Sequence, residues 1–405
     1  MNKKILRKNY RKNIVVVGMI TSFGVSLHAQ ESATEFVEPS VYETLWGYAT
    51  LYKDDLNPYI QEFKLRGRYH GQYYDVDADN GQADHWEDRR SRFGFDAKLF
   101  DKKLEARFDF QSNDDFDDLY DGLVDAYLRW KPNVNLSVTA GKTKPLVAAY
   151  DWLSSTNDTP TFERSQIFNQ LNINRATALT VEGNANDILW QAGVYSNSTP
   201  ATTSGTGDWG DGEFGDLDGG VSYSIGIGHN FHHALNVEKA LLRLDWLHSD
   251  RKAGDLVNGR YDDIVSTTFH FKEGYWNVIA EAFYATGGDG LNEDVFGAYI
   301  LPTYDIIPDR LQLVARYSYT NGDGPASVVA QSRYERETPI GLIPGVSGSR
   351  NRGDEYHSAY VGAQYFIYGN KLKLMAGAEW AQLLRDGNPT GYEGLTALTG
   401  LRLSF

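Results

Sequence analysis

Apolar and polar side chains alternate with a period of two along most of the chain after Gln61. In the segment 309–321, for example, Leu311 and Leu313 oppose Gln312. Because successive side chains of a β-strand point to opposite sides, each such segment has one apolar and one polar face. About sixteen segments show this pattern, each roughly 10–15 residues long, which is the length of a tilted membrane strand with its overhang. They are 61–75, 86–99, 102–112, 122–131, 134–143, 175–184, 187–196, 220–231, 239–250, 261–272, 274–286, 294–305, 309–321, 354–368, 370–382 and 394–405.

The connections between these segments alternate between short and long. Tight turns are predicted at 100–102, 131–133, 184–186, 272–274, 307–309 and 368–370. Longer polar connections are predicted near 76–85, 113–121, 144–174, 197–219, 251–260, 287–293, 322–353 and 383–393. Short turns at one rim and long loops at the other are typical of outer-membrane barrels, whose closed sheet satisfies every backbone hydrogen bond. We therefore predict an all-β fold, a transmembrane antiparallel β-barrel of about 16 strands.

The N-terminus has a different composition from the rest of the chain. Its first 12 residues carry six basic side chains and no acid, and an uncharged, mainly apolar stretch, 14–27, follows. Together with the small-residue end at Leu27-His28-Ala29, this order predicts a signal peptide over 1–29. The apolar stretch is too short for a spanning helix. Residues 30–59 lack the alternation and are predicted to form a short periplasmic segment, with the barrel over 60–405.

Composition narrows the class further. The chain contains 26 Tyr, 19 Phe and 40 Gly but no Cys, which favours many short strands and excludes disulfides and thiolate sites. The net charge is −15 and becomes more negative once the basic signal peptide is removed, so nucleic acid is not an expected partner.

The third long connection, 144–174, has more apolar residues than an exposed loop would keep, among them Val147, Trp152, Phe162 and Phe168. Folding inward against the barrel wall would shelter these side chains from water. We therefore expect this loop to fold into the pore and form its constriction, because a barrel of about sixteen strands is too wide for wall side chains to fill.

Short motifs in and around this connection resemble those of the phosphate-selective porin O and P family. They are Gly141-Lys142-Thr143-Lys144-Pro145, Asp158-Thr159-Pro160 and Phe162-Glu163-Arg164-Ser165, together with an Arg-rich first strand and the terminal Phe405. The resemblance covers nearly all of 60–405 and implies a sixteen-stranded trimeric outer-membrane porin with its third loop folded into the pore. It also implies a preference for anions such as phosphate. The constriction residues expected on this basis are Lys142, Lys144, Asp151, Asp158, Glu163 and Arg164.

Basic residues collect on the polar faces of the first strands. These residues are Lys64, Arg66, Arg68, Arg90, Arg92, Arg107 and Arg129. Neighbouring strands would bring them together as a basic stripe on one wall of the lumen. One interpretation is that the stripe steers anions or sets up a transverse field, since charged rings determine pore selectivity. The other is that the same residues form ion pairs, for instance with Asp96 and Asp109, which stiffen the barrel without selecting solutes.

No catalytic or metal-binding motif stands out. We therefore predict no enzymatic activity, no cofactor and no metal site, and a porin for passive diffusion of small hydrophilic solutes and ions. The expected partners are outer-membrane lipid, lipopolysaccharide, phosphate-like anions and, through the family resemblance, two further copies in a homotrimer. An adhesin or structural barrel, a barrel hydrolase and a soluble secreted β-protein remain alternatives, and a large stable conductance would separate the porin from all three.

Overall fold

The computed structural model describes residues 40–112, 116, 119–197, 220–250, 260–331, 333–386 and 388–405, so the predicted signal peptide lies outside the described part. The described residues include four short helices: α1 Val41–Gly47, α2 Gln166–Leu171, α3 His232–Leu235 and α4 Tyr334–Glu337. The strands are β1 Thr50–Lys53, β2 Ile60–Ala78, β3 Gly81–Leu99, β4 Leu104–Ser112, β5 Gly122–Asn133, β6 Leu136–Thr143, β7 Ala176–Ala185, β8 Ile188–Ser196, β9 Val221–Asn230, β10 Lys239–Ser249, β11 Asp263–Glu273, β12 Trp276–Thr286, β13 Val295–Ile307, β14 Leu311–Gly322, β15 Val328–Val329, β16 Arg352–Gly353, β17 Glu355–Tyr368, β18 Leu372–Arg385 and β19 Asn388–Ser404.

Sixteen of these strands form one closed antiparallel barrel. They are β2 to β14 followed by β17 to β19, each paired with its neighbours in the chain, and β19 returns to pair with β2 through register partners such as Leu401 and Gly71. The predicted barrel and its strand number are therefore confirmed. The short strand β1 pairs with the start of β2, and β15 pairs with β16 apart from the barrel.

The two faces of the sheet differ as the alternation requires. Apolar side chains on one face remain open, such as Ile227 at 59% and Val361 at 62% exposure. The opposite face carries small polar side chains that are fully enclosed, including Ser266 and Thr320. The open apolar face suits hydrocarbon, and the enclosed polar face lines the barrel interior. None of the helices in the described part of the chain is long and apolar enough to cross a bilayer.

Two of the predicted long connections are wrong. Strands β2 and β3 continue to Ala78 and from Gly81, so residues 76–85 form the tip of a long hairpin. Likewise β18 reaches Arg385 and β19 begins at Asn388, within the predicted connection 383–393.

Two connections in the described part of the chain pack against residues of the barrel strands. One is the segment 144–175 between β6 and β7, which contains α2, and the other is the segment 323–354 between β14 and β17, which contains α4. Their buried apolar side chains, among them Ile167, Leu171 and Tyr334, belong to the same cluster as wall residues such as Val295 and Tyr299. Burial of each such side chain contributes roughly 1.5–3 kcal/mol to holding the segments in place.

Candidate functional site

The inner faces of β2 and β3 bring basic side chains together. Register pairs Arg68 with Arg92 and His70 with Arg90, so cationic groups of adjacent strands lie side by side. Like charges directly opposite each other on a sheet are destabilising. The fold keeps this arrangement despite its cost, which marks this wall as a candidate functional site.

Some of these cations are neutralised by carboxylates. Arg66 donates from Nη1 to Asp96 at 2.8 Å and from Nε to Asp109 at 3.0 Å. Arg107 donates from Nε to the other oxygen of Asp96 at 2.8 Å. The ion-pair interpretation of the stripe therefore describes Arg66 and Arg107.

Other members of the stripe bond to neutral groups. Arg68 donates to Thr156 Oγ1 at 2.8 Å and to Ser155 Oγ at 3.3 Å. Arg129 donates to Thr139 Oγ1 at 2.9 Å, and Arg92 contacts Gln111 Oε1 at 3.5 Å. Within the described ranges, no carboxylate lies within ion-pair distance of Arg68, Arg90 or Arg92.

A β-bulge adds one arginine that the alternation does not predict. His70 pairs with Arg90 and Gly71 with Asp88, so Arg89 is the extra residue on β3. Its guanidinium donates from Nε to Glu163 Oε1 at 2.5 Å and from Nη2 to Glu163 Oε2 at 2.9 Å. A strict period of two would place Arg89 on the outer face, whereas the bulge allows the side chains of Arg89 and Arg90 both to lie on the inner face.

The segment 144–175 contacts several inner walls of the barrel through its backbone. Three wall cations donate to its carbonyl oxygens: Arg316 to Glu163 at 2.8 Å, Arg402 to Phe162 at 3.3 Å and Lys373 to Thr159 at 3.3 Å. These three side chains come from β14, β19 and β18. Because bonds from charged donors are stronger than neutral ones, they hold one side of the segment firmly.

The other side of the segment is anchored on β11 and β12. The backbone N–H groups of Tyr150 and Asp151 donate to the two oxygens of Glu281 at 2.8 and 2.9 Å, and the N–H of Ala148 donates to Ser266 Oγ at 3.1 Å. The segment is therefore bonded to β11 and β12 as well as to β14, β18 and β19.

Several charged side chains of the segment form hydrogen bonds within the segment itself. Asp151 accepts from Ser165 N–H at 3.0 Å and from Ser165 Oγ at 2.5 Å, and Ser165 caps α2. Arg164 donates to the carbonyl of Asp151 at 2.5 Å, and Lys144 donates to the carbonyl of Trp152 at 2.6 Å. Burial lowers the pKa of Lys144 well below its usual value, with Arg164 adding to the effect. Both cations lie over the ring of Trp152, at 5.0 and 5.2 Å from its centroid.

The connection between β14 and β17 also reaches the basic wall, by which we mean the inner face of β2 and β3 with Arg66, Arg68, Arg90 and Arg92. Arg333 Nη1 lies 2.7 Å from Glu87 Oε2 on β3. Tyr334 accepts from Gln72 Nε2 at 2.5 Å and donates to Glu163 Oε1 at 3.4 Å. Glu163 is therefore held from the wall by Arg89 and from the second connection by Tyr334.

Two cavities follow the basic wall. Among the described residues, ten arginines, two lysines and five carboxylates border the larger cavity, which is about 950 Å³. The smaller, about 270 Å³, is bordered by Lys64, Lys371 and Asp158 among others. Arg66, Arg68 and Arg92 border both cavities, so they lie where the two spaces meet.

The predicted site residues are mostly brought together. Of the predicted set, Arg66, Arg68, Arg90, Arg92, Arg107, Arg129, Lys142, Lys144, Glu163 and Arg164 border the larger cavity, and Lys64 and Asp158 border the smaller one. Asp151 borders neither. Lys142 is in register with Ala126 and Thr177, on the opposite face of β6 from Gly141.

Arg89, Arg175 and Arg333 also border the larger cavity, and the sequence pattern does not predict them. Arg175 forms an ion pair with Asp125 at 2.7 Å. Arg333 comes from a connection far along the chain, and no local pattern indicates its place. Arg175 is the first residue of the predicted strand 175–184, and that position is the only signal of its role.

Replacing Arg89 by glutamine should loosen the segment 144–175, because Glu163 would remain buried without its ion-pair partner. Breaking a buried pair in this way costs about 3–5 kcal/mol, enough to raise the open population of the segment by roughly two orders of magnitude or more. Trypsin cleavage after Arg164, followed by mass spectrometry on detergent-solubilised protein, measures that population. The control is Arg129→Gln, which removes an arginine of the same cavity that bonds to Thr139. Equal cleavage rates in both variants would show that the Arg89–Glu163 pair does not hold the segment.

Comparison with known proteins gives a family and a fold. A family model described as phosphate-selective porin O and P matches residues 63–403. No curated protein matches the chain.

Several solved porin structures share the fold. Salmonella typhi OmpF in complex with daunomycin has a TM-score of 0.57 at 13% identity, covering 88% of this chain and 100% of that one. The anion-selective porin from Comamonas acidovorans has a TM-score of 0.56 at 12% identity, covering 85% and 99%. The trimer form of in-vitro folded OmpT from Vibrio cholerae has a TM-score of 0.51 at 12% identity, again covering 85% and 99%. At these identities the similarity concerns the fold alone.

Proposed function

Because the chain belongs to the phosphate-selective porin O and P family of the bacterial outer membrane, we propose that it forms a water-filled channel through which small hydrophilic anions, phosphate among them, diffuse passively. The observation that carries the anion preference is the junction of the two cavities. Arg68 and Arg92 border both spaces, and within the described ranges no carboxylate lies within ion-pair distance of either. Asp109, which also borders both spaces, is paired with Arg66.

The proposed constriction is the segment 144–175. This proposal is supported by hydrogen bonds between the segment and residues of β2, β11, β12, β14, β18 and β19. The two cavities lie between the segment and the basic wall. A solute would then pass between this segment and β2 to β5. Arginine suits such a wall because its charge persists at every relevant pH and its planar fork matches the oxygens of phosphate.

The proposed assembly is a homotrimer embedded in outer-membrane lipid and lipopolysaccharide. The trimer form of the Vibrio cholerae protein and the family resemblance support it. The signal peptide over 1–29 remains a prediction of the sequence. We propose no catalytic role, since the polar groups that converge here are arginines with structural carboxylates and not a nucleophile–base pair.

Reconstitution of the purified protein in planar bilayers tests the proposal. Single channels should be large and stable, and a KCl gradient should give a reversal potential displaced toward that of chloride. Phosphate added at millimolar concentration should lower the chloride current if phosphate binds to Arg68 and Arg92, where the two cavities meet. Potassium gluconate added at the same ionic strength controls for the effects of ionic strength and of anion size. A protein that inserts but passes no ions would instead support an adhesin or structural barrel.

A further inference from the structure

Three side chains with metal-binding atoms meet at the rim of short turns. Asp187 lies on the turn between β7 and β8, and His232 and His233 lie on α3 between β9 and β10. The candidate ligand atoms of all three lie within 4.8 Å of one another. The sequence shows the adjacent histidines, but it does not show that a carboxylate 45 residues earlier faces them.

The backbone holds these groups close together. Asn186 and Asp187 adopt left-handed conformations, with φ of 51° and 66°, which fixes the first turn. The N–H of Asn230, the last residue of β9, donates to the carbonyl of Asp187 at 2.9 Å, so the β7–β8 turn is bonded to the chain just before α3. After α3, the N–H of Val237 returns to the carbonyl of His232 at 3.1 Å. The three side chains are therefore placed by hydrogen bonds that do not involve them.

The side chains of Asp187 and the two histidines do not form hydrogen bonds with one another. His232 Nδ1 is 4.0 Å from Asp187 Oδ1, and His233 Nε2 is 3.9 Å from Asp187 Oδ2, both too long for hydrogen bonds. His232 Nδ1 is shielded from solvent and has no hydrogen-bond partner within the part of the chain that the structure describes. An orphaned imidazole nitrogen facing a carboxylate at this distance leaves room for a third group between them.

A metal ion fits that space. Zinc binds imidazole nitrogen and carboxylate oxygen at about 2.0–2.2 Å in tetrahedral geometry, so two ligand atoms on one ion lie about 3.4 Å apart. The spacings of 3.9 and 4.0 Å to Asp187 would close by small rotations of the side chains. Of these, His233 is 80% exposed and its ring centroid lies 3.8 Å from that of His232. Two imidazoles and one carboxylate suit zinc or copper, whereas magnesium and calcium prefer oxygen ligands alone.

We propose that Asp187, His232 and His233 form a site for a divalent transition-metal ion, with zinc and copper as the matching cations. The bound ion would join the β7–β8 turn to the β9–β10 connection and stabilise this rim. None of the three residues borders either cavity, so the site is separate from the proposed conduction path.

Isothermal titration calorimetry with zinc chloride, on detergent-purified protein without a histidine tag, tests the site. The wild type should bind one equivalent, and the double variant His232→Asn/His233→Asn should lose it. Asp187→Asn should weaken binding at least tenfold, since even an outer-shell partner of a metal ligand is worth about 10- to 100-fold in affinity. His85→Asn, which removes an exposed histidine elsewhere, is the matched control and should bind as the wild type does.

The channel conductance of each variant verifies that the barrel is intact, because these turns lie away from the basic wall. Electron paramagnetic resonance of the copper-loaded wild type should show two coordinating nitrogens, and the double variant should lack that signal. The absence of a saturable zinc site in the wild type would overturn the proposal. Wild-type affinity in Asp187→Asn would do the same, because it would reduce the site to a surface histidine pair.

Discussion

Replacing both Arg68 and Arg92 by glutamine should lower the ratio of chloride to potassium permeability by about tenfold or more. Both arginines border the two cavities, so a solute moving from one space to the other passes them. A unit charge about 8 Å from a monovalent ion contributes about 1 kcal/mol at an effective dielectric constant of about 40. Two such charges change the energy of a passing anion by about 2 kcal/mol, before screening by salt. Reversal potentials in about 0.1 M KCl gradients are the measurement, since higher salt shortens the Debye length.

The matched control is Arg310→Gln. Arg310 is exposed on the turn between β13 and β14 and borders neither cavity. Its substitution removes one positive charge, as each of the two test substitutions does, but at a position away from the proposed conduction path. Circular dichroism and unchanged single-channel stability verify that both variants fold. A folded Arg68→Gln/Arg92→Gln channel with the wild-type reversal potential would show that the basic wall does not set selectivity.

The barrel could be predicted because its signals are local. Period two along each strand and short turns at one rim follow from a closed sheet between hydrocarbon and water, and both can be read over ten residues. The prediction failed where strand pairing continues past the end of the alternating pattern. In the hairpin of β2 and β3, outward positions such as Asp75 and Asp77 carry acids, so the apolar face disappears although the pairing continues to Ala78.

The site was harder to predict because it depends on register and on connections. Alternation places Arg66 and Arg68 on one face, but only the three-dimensional register shows that Arg66 meets two carboxylates while Arg68 meets hydroxyl groups. Arg89 reaches the inner face through a bulge, which shifts the pattern by one residue. Arg333 arrives from a connection more than 200 residues away from its partner Glu87. Composition can indicate a basic wall, whereas the pairing of each charge requires the fold.

Replacing residues 146–171 by a six-residue glycine–serine linker should raise the single-channel conductance at least about threefold, because a sixteen-stranded barrel without an inner segment encloses a wide aqueous channel. The barrel itself should survive the deletion. Thr143 and Ala176 are register partners, so the ends of the segment are one strand spacing apart and a short linker closes the hairpin. The wall groups left behind, such as Glu281 and Lys373, are charged and can be solvated by the entering water.

The shortened channel should also lose part of its anion preference, because solutes could then pass farther from Arg68 and Arg92 and feel weaker Coulomb interactions. A deletion of residues 288–292, between β12 and β13, serves as the control, since those residues border neither cavity. Conductance and reversal potential of the control should match the wild type. If the folded 146–171 variant conducted no better than the control, the narrowest part of the channel would have to lie elsewhere, and the connection between β14 and β17, which presents Arg333 and Tyr334 to the same wall, would be the next segment to remove.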